Sequence, residues 1–183
     1  MSPRRRQVGE DSFRIRRATL RNVEDLVHQR RGMWWDMGIR DPTRLDDADR
    51  AYRRWVKPEI REGRYLGWIV ETSDRMVIGG GCLWLRPTQP RPHKGAFVDP
   101  YLLSMFVEPR FRRKGVASLI IKHAVEWCRR NGYTRILLHA NKKGRHLYRK
   151  LGFIRTWEMR LEVDEKSRPI TRAPNTQRKR RKR

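Results

Sequence analysis

The clearest structural signal in this sequence lies in residues 102–117, which read LLSMFVEPRFRRKGVA. The first six residues are nearly all apolar, as in a strand buried on both faces, and Pro109 cannot continue a hydrogen-bonded ladder. From residue 116 onward, apolar residues recur every three or four positions as far as Trp127, and Asn131-Gly132 is a typical helix end. The sequence therefore predicts a core strand, a short turn and a helix that begins beside the strand.

The turn has the composition of an anion-binding site. Backbone N–H groups at a helix N-terminus are unpaired and lie at the positive end of the helix dipole. Gly115 has no Cβ and lets a ligand approach the backbone closely, while Arg112, Arg113 and Lys114 add positive charge. The P-loop pattern is absent, and Gly79-Gly80-Gly81 does not match the dinucleotide-binding pattern. We therefore expect a ligand that carries a pyrophosphate or a similar group.

Two motifs carry a resemblance to a known family. Residues 112–117 match the pattern [QR]-x-x-G-x-[GA] of the coenzyme A loop in the GNAT N-acetyltransferase family. Asn141, followed by LYRKLGF over residues 147–153, resembles the family signature N-x-x-A-x-x-x-Y-x-x-x-G-F, with Gly144 in place of the usual Ala. The resemblance covers roughly residues 14–162. It implies an α/β fold in which helices flank a central mixed, mostly antiparallel sheet, with a parallel strand pair splayed apart at the coenzyme site.

The resemblance also implies the chemistry. Acetyl-CoA would be the co-substrate, no metal would be needed, and an amine of the acceptor would attack the acetyl carbonyl directly. Tyr148 would be the general acid that protonates the departing thiolate. The implied coenzyme contacts are Met105, Phe106, Val107, Arg112, Arg113, Lys114, Gly115, Val116, Ala117, Ser118 and Asn141. The base remains open between Asp99, His139 and a water chain, and the pair Trp34-Trp35 with Asp36 is a candidate lip of the acceptor site.

The remaining pattern predicts the other elements and the limits of the domain. Strands are expected at residues 13–16, 65–71, 76–85, 134–140 and 153–163, and helices at 22–33, 44–62 and 143–150, with a proline-rich loop at 86–98. We expect a disordered basic N-terminus over residues 1–12, an N-acetyltransferase domain over 13–163 and a disordered basic tail over 164–183.

The net charge of +25 suggests a further partner. Residues 166–183 contain nine Lys or Arg and no acid, and such a segment attracts nucleic acid, ribosomes or other polyanions. The alternative hypothesis is therefore a nucleic-acid or ribosome-associated binding module with a degenerate transferase fold, and a merely solubilising arginine-rich surface is the simpler explanation.

The remaining composition bears on location and assembly. No run of eighteen apolar residues is present, and no apolar region follows the basic N-terminus, so we expect no membrane partner and a cytoplasmic location. Cys82 and Cys128 are expected to be buried, reduced thiols. Members of the family often pair through their sheets, which makes a homodimer a further hypothesis.

Overall fold

A computed structural model describes residues 6–8, 11–90 and 97–159 of the 183-residue chain. One sheet contains six strands in the order of the sequence: β1 (Arg6–Val8), β2 (Asp11–Arg17), β3 (Tyr65–Glu71), β4 (Val77–Pro87), β5 (Val98–Val107) and β6 (Leu137–Leu138). Neighbouring strands are antiparallel except β5 and β6, which are parallel. The mixed, mostly antiparallel sheet with one parallel pair confirms the predicted fold class.

Four helices cover the two faces of the sheet: α1 (Val23–Asp36), α2 (Pro42–Arg61), α3 (Val116–Arg130) and α4 (Arg145–Lys150). Asp41 caps α2 by accepting hydrogen bonds from the N–H groups of Thr43 and Arg44. None of the helices in the described ranges has the length and apolar character needed to span a membrane.

The strands alternate between two hydrophobic cores. Leu66, Trp68 and Val70 of β3 pack on the side of α3, whereas Tyr65 and Ile69 pack on the side of α1 and α2. Because successive side chains of a strand point to opposite faces, this alternation places α3 on one face of the sheet and the α1–α2 pair on the other. Cys82 and Cys128 are buried free thiols, which confirms that prediction.

The structure differs from the sequence prediction at the two ends of the domain. Residues 153–159 lie outside any strand, and the side chains of Ile154, Trp157 and Met159 are 86%, 98% and 94% exposed. Their alternating pattern favours a strand, but a strand needs an edge to pair with, and β6 supplies only two paired residues instead of the predicted seven. The strand prediction was therefore wrong over 153–159, and residues 160–163 lie outside the described residues.

At the N-terminus, strand β1 and the first residues of β2 pair with each other inside the segment predicted to be disordered. Residues 6–8, 11 and 12 are therefore in paired strands, which differs from the disorder expected there. Residues 1–5, 9 and 10, and the predicted tail over 164–183, lie outside the described residues. The domain limits stay predictions.

Strand β5 begins at Val98, four residues before the predicted start, and contains Pro100. Leu85, which lies opposite Pro100, donates its N–H to the Arg64 carbonyl on the other side of β4. The pair is therefore a non-hydrogen-bonded one, and the ladder between β4 and β5 needs no N–H from the proline.

A bulge interrupts β5 at Ser104. Cys82 lies opposite Leu103 while Gly80 lies opposite Phe106, so β5 has one more residue than β4 between these pairs. Ser104 has a φ of +54°, in the left-handed region that residues other than glycine rarely adopt. The bulge lies just beyond the last residue of β5 that pairs with β6.

Candidate active site

An opening separates β5 from β6 beyond Leu102. Strand β6 pairs only with Tyr101 and Leu102, so in the described part of the chain residues 103–107 have no strand on that side. Glu108 donates its N–H to the Ile78 carbonyl of β4. By strand alternation, the backbone of Val107 faces away from β4, and that of Met105 shares its side. These backbone groups border the opening, where the family resemblance implies that a coenzyme arm pairs with the strand.

Phe106, between these two residues, has a different role. Its side chain is 7% exposed, and its ring fills the space beside Gly32 of α1. Its carbonyl oxygen faces Gly79 of β4. Phe106 is therefore a core residue whose side chain and carbonyl both point away from the opening.

The loop from β5 to α3 presents backbone N–H groups. A short 3-10 turn over Pro109–Phe111 precedes two left-handed residues, Arg113 (φ +65°) and Gly115 (φ +83°). Gly115 is the N-cap of α3, and no side chain caps the helix there. The Leu119 N–H makes the first helical hydrogen bond, to the Gly115 carbonyl. The N–H groups of residues 116–118 therefore have no partner within the helix, as at the helix N-termini that bind anions in other proteins.

The side chains of this loop divide into anchored and exposed ones. Val116 is 1% exposed and belongs to the core beneath α3. Arg112 folds back, since its Nε donates to the Val107 carbonyl at 2.9 Å and its Nη2 donates to Asp36 at 2.6 Å. Arg113 and Lys114 lie on the surface, with the Lys114 ammonium above the Phe111 ring. Arg112 thus fixes the loop, whereas its two neighbours add positive charge around it.

Asp36 ends α1 and joins three parts of the site. Its carboxylate binds Arg112, and its carbonyl oxygen lies 3.5 Å from Nζ of Lys143, just before α4. The sequence placed Asp36 on the acceptor side, whereas the structure attaches it to the loop predicted to bind the coenzyme. Trp34 packs under Arg30, and Trp35 is half exposed and stacks with Arg40.

Asn141 shapes the start of α4. Its Oδ1 accepts a hydrogen bond from the Gly144 N–H at 2.8 Å, and its carbonyl accepts one from Arg145. The side chain is exposed, and its oxygen is engaged in this cap. Its amide NH₂ makes no hydrogen bond with the described residues and can donate to a ligand.

Tyr148 lies one turn further along α4, against the core beneath α3. Its ring meets Phe153 edge to face at 5.7 Å, and burial raises its pKa above the ordinary value of 10. Within the described residues its hydroxyl makes no hydrogen bond. A Cβ added at Gly144 would lie 2.8 Å from Cε2 of this ring. The glycine that replaces the usual alanine therefore leaves the space that the tyrosine ring occupies.

The candidate bases differ in availability. Asp99 is buried, and its Oδ1 accepts two hydrogen bonds from Arg135 at 2.8 and 3.0 Å. His139 is exposed just beyond β6. Glu108, which follows β5 and is not among the predicted bases, has its Oε1 2.8 Å from Nε2 of His28. Of the predicted candidates, Asp99 is therefore committed to an ion pair.

A cavity that the sequence did not predict lies between α2 and strands β4 and β5. Its volume is about 490 Å³, and its lining includes Arg30, Tyr52, Trp55, Trp84 and Leu103. Leu103 and Trp55 pack with the core on the α1–α2 face, whereas Tyr148 packs with the core on the α3 face. The spacing of Tyr52 and Trp55 predicted a common inward face of α2, but only the fold brings Trp84 and Arg30 beside them.

Comparison with known proteins agrees with this geometry. A family model described as "Acetyltransferase (GNAT) family" matches residues 29–153. An uncharacterised N-acetyltransferase of Bacillus subtilis, YdgE, is 27% identical over 117 residues, which are 61% of this chain and 69% of that protein.

Two crystal structures also resemble this chain. A GCN5-related N-acetyltransferase from Ralstonia eutropha is 26% identical with a TM-score of 0.74, over 82% of this chain and 98% of that one. A predicted acetyltransferase from Clostridium acetobutylicum, crystallised with acetyl-CoA, is 25% identical with a TM-score of 0.74, over 83% and 96% of the two chains. Because the family model covers more than half of the sequence and these structures share its fold, the chain belongs to the GNAT acetyltransferase family.

Proposed function

We propose that this protein transfers the acetyl group of acetyl-CoA to a primary amine by direct attack. The observation that carries the proposal is the uncapped N-terminus of α3, which follows the left-handed residues Arg113 and Gly115 and adjoins the parted strands β5 and β6. A pyrophosphate fits N–H groups of this kind, and an amide-bearing arm fits the open edge of a strand.

In this proposal the coenzyme is held mostly by backbone. The N–H groups of residues 116–118 bind the pyrophosphate, and Arg113 and Lys114 add charge at the surface. The backbone groups of Met105 and Val107 pair with the pantetheine arm, which brings the thioester to the bulge at Ser104. Arg112 already donates a hydrogen bond to the Val107 carbonyl. The arm therefore either displaces this hydrogen bond or pairs with β5 residues that precede Val107.

The chemical step needs an oxyanion donor, an acid and a base. Backbone N–H groups of β5 near the bulge stabilise the negative charge on the acetyl oxygen. Tyr148 donates a proton to the departing thiolate, and its raised pKa keeps the phenol protonated at neutral pH. Because Asp99 is paired with Arg135, the proton of the attacking amine passes to His139 or to a water chain.

The test is release of free coenzyme from acetyl-CoA across a panel of amines, with the wild-type protein, Tyr148→Phe and the control Tyr133→Phe. Tyr133 stacks on Trp127, away from the opening, so the control removes a phenol without touching the site. We expect Tyr148→Phe to lower kcat about 100-fold, with acetyl-CoA affinity unchanged within about twofold, and Tyr133→Phe to keep wild-type kcat. Equal turnover in all three proteins rejects the role of Tyr148, and the absence of acetyl-CoA binding by the wild type rejects the proposed function.

A further inference from the structure

The aromatic cavity beside β5 has a position suited to the acceptor. Leu103, in its lining, directly precedes the bulge at Ser104 and follows Leu102, where pairing with β6 ends. The cavity opens on the α1–α2 face, and Tyr148 lies on the opposite face. An amine in the cavity would therefore reach the thioester from the side opposite the acid that protonates the thiolate. Its volume of about 490 Å³ suits a small molecule.

The walls of this cavity are held in place by contacts of their own. Tyr52 and Trp55 stack at 5.9 Å, and Trp55 meets Trp84 edge to face at 5.7 Å. The Trp84 Nε1 donates to Glu59 at 2.9 Å, and the Tyr52 hydroxyl lies 2.8 Å from that of Tyr65. Rigid aromatic walls favour a flat or aliphatic body of a ligand, because little side-chain freedom is lost on binding.

Arg30 supplies the positive charge of the cavity. Its guanidinium lies over the rings of Trp34 and Tyr52 at 5.3 and 4.8 Å, and its Nη1 donates to Oγ of Ser104 at 3.3 Å. No carboxylate of the described residues pairs with it, whereas the adjacent Arg31 pairs with both Asp46 and Asp49. A half-buried guanidinium held by aromatic rings and a hydroxyl keeps donors for an anion.

The acids nearby are already engaged with arginines. Glu59, next to Trp84, binds Arg64, and Asp49 of α2 binds Arg31. The described residues that line the cavity include Arg30 and no acid. A polycationic acceptor would meet repulsion here, whereas an anionic group would be attracted.

We propose that the acceptor is a small amine with an apolar or aromatic body and a carboxylate, and that Arg30 binds the carboxylate. The inference rests on the proposed acetyl transfer and adds to it the class of the substrate. A free aromatic α-amino acid is the simplest molecule with this chemistry. Its amine attacks the acetyl carbonyl, the C–N bond forms as the C–S bond breaks, and the products are the N-acetylated acid and the free thiol of the coenzyme.

The test compares acceptors that differ in the carboxylate: phenylalanine against phenylalaninamide, with 2-phenylethylamine as a second amine that lacks a carboxylate. The ratio of kcat/KM for acid over amide is measured for the wild type, Arg30→Gln and Arg53→Gln. Arg53 is an α2 arginine that pairs with Glu24 on the surface, so its variant loses the same charge outside the cavity. We expect the wild-type ratio to exceed about tenfold, to fall close to one in Arg30→Gln, mainly through KM, and to persist in Arg53→Gln.

The ratio of kcat/KM for acid over amide distinguishes carboxylate binding by Arg30 from a purely structural role of this residue. Loss of its bond to Ser104 would slow both acceptors equally and leave the ratio unchanged, and Ser104→Ala, which keeps the guanidinium, should retain the preference. Equal or better use of the amide by the wild type, or an unchanged ratio in Arg30→Gln, overturns the inference while leaving acetyl transfer intact. Direct titration of phenylalanine and its amide into the coenzyme complex, followed by tryptophan fluorescence, decides the same preference without turnover.

Discussion

Replacement of Gly144 by alanine tests how Tyr148 is positioned. The backbone at Gly144 (φ −83°, ψ −21°) suits alanine, so the substitution brings no backbone strain. The new Cβ would lie 2.8 Å from Cε2 of Tyr148, which is 0.6 Å short of an ordinary contact of 3.4 Å. Phe153 packs against the same ring, so the phenol must move by about this distance or the start of α4 must shift.

The size of the kinetic effect follows from that displacement. Misplacing a reacting group by about 1 Å costs about 100-fold in rate, so 0.6 Å should lower kcat about tenfold. Stability should change little, because alanine reduces the entropy of the unfolded chain by about 0.4–1 kcal/mol and thereby offsets the crowding. Acetyl-CoA affinity should stay within about twofold, since the loop before α3 is untouched.

A double-mutant cycle supplies the assay. The kcat for coenzyme release is measured for the wild type, Gly144→Ala, Tyr148→Phe and the double variant, with Arg145→Ala as an exposed control in the same helix. If the glycine acts by placing the phenol, Gly144→Ala should cost nothing further in the Tyr148→Phe background. A tenfold loss in both backgrounds, or wild-type kcat in the single variant, refutes the reasoning.

Three further predictions concern stability, thiols and the tail. The Arg64 hydrogen bond lowers the pKa of Glu59 from 4.5, so the stability it gives is present above pH 4.5 and lost as the pH falls. In urea titrations, Glu59→Gln should lower the free energy of unfolding by about 1–2 kcal/mol at pH 7 and progressively less at acid pH. An equal difference at all pH values would contradict this prediction. Burial raises the pKa of Cys82 and of Cys128 to about 12, so neither native thiol should react with a chromogenic disulfide at pH 8, whereas both should react in denaturant. Deletion of residues 164–183 should leave acetyl transfer unchanged and reduce salt-dependent RNA binding at least tenfold at low salt; unchanged RNA binding would remove the tail as a polyanion anchor.

Local patterns predicted the centre of the fold well. The apolar run before Pro109 and the periodicity after Gly115 gave β5, its loop and α3, because each depends on neighbouring residues in the sequence. The start of β5 at Val98 was missed because a proline in a strand is tolerated only where its missing N–H has no partner. That condition depends on the hydrogen bond between Leu85 and Arg64, which local sequence does not contain.

Some features of the candidate site could likewise be predicted from local sequence, and others depend on the fold. The loop residues and Tyr148 stand in motifs and could be proposed from the sequence. The engagement of Asp36 with Arg112 joins residues 76 positions apart, and the isolation of Arg30 from any described carboxylate is a property of the folded charge distribution. The strand prediction was wrong over 153–159 because a period of two indicates a strand only when a pairing edge is available.

The left-handed backbone of Ser104 should make selection for stability and selection for activity favour different residues at position 104. A serine in that conformation is less stable than a glycine by about 1 kcal/mol, and glycine would remove the penalty at the expense of the bond to Arg30. Enrichment for heat resistance alone should thus recover glycine at position 104, and enrichment for acetylated product should restore serine.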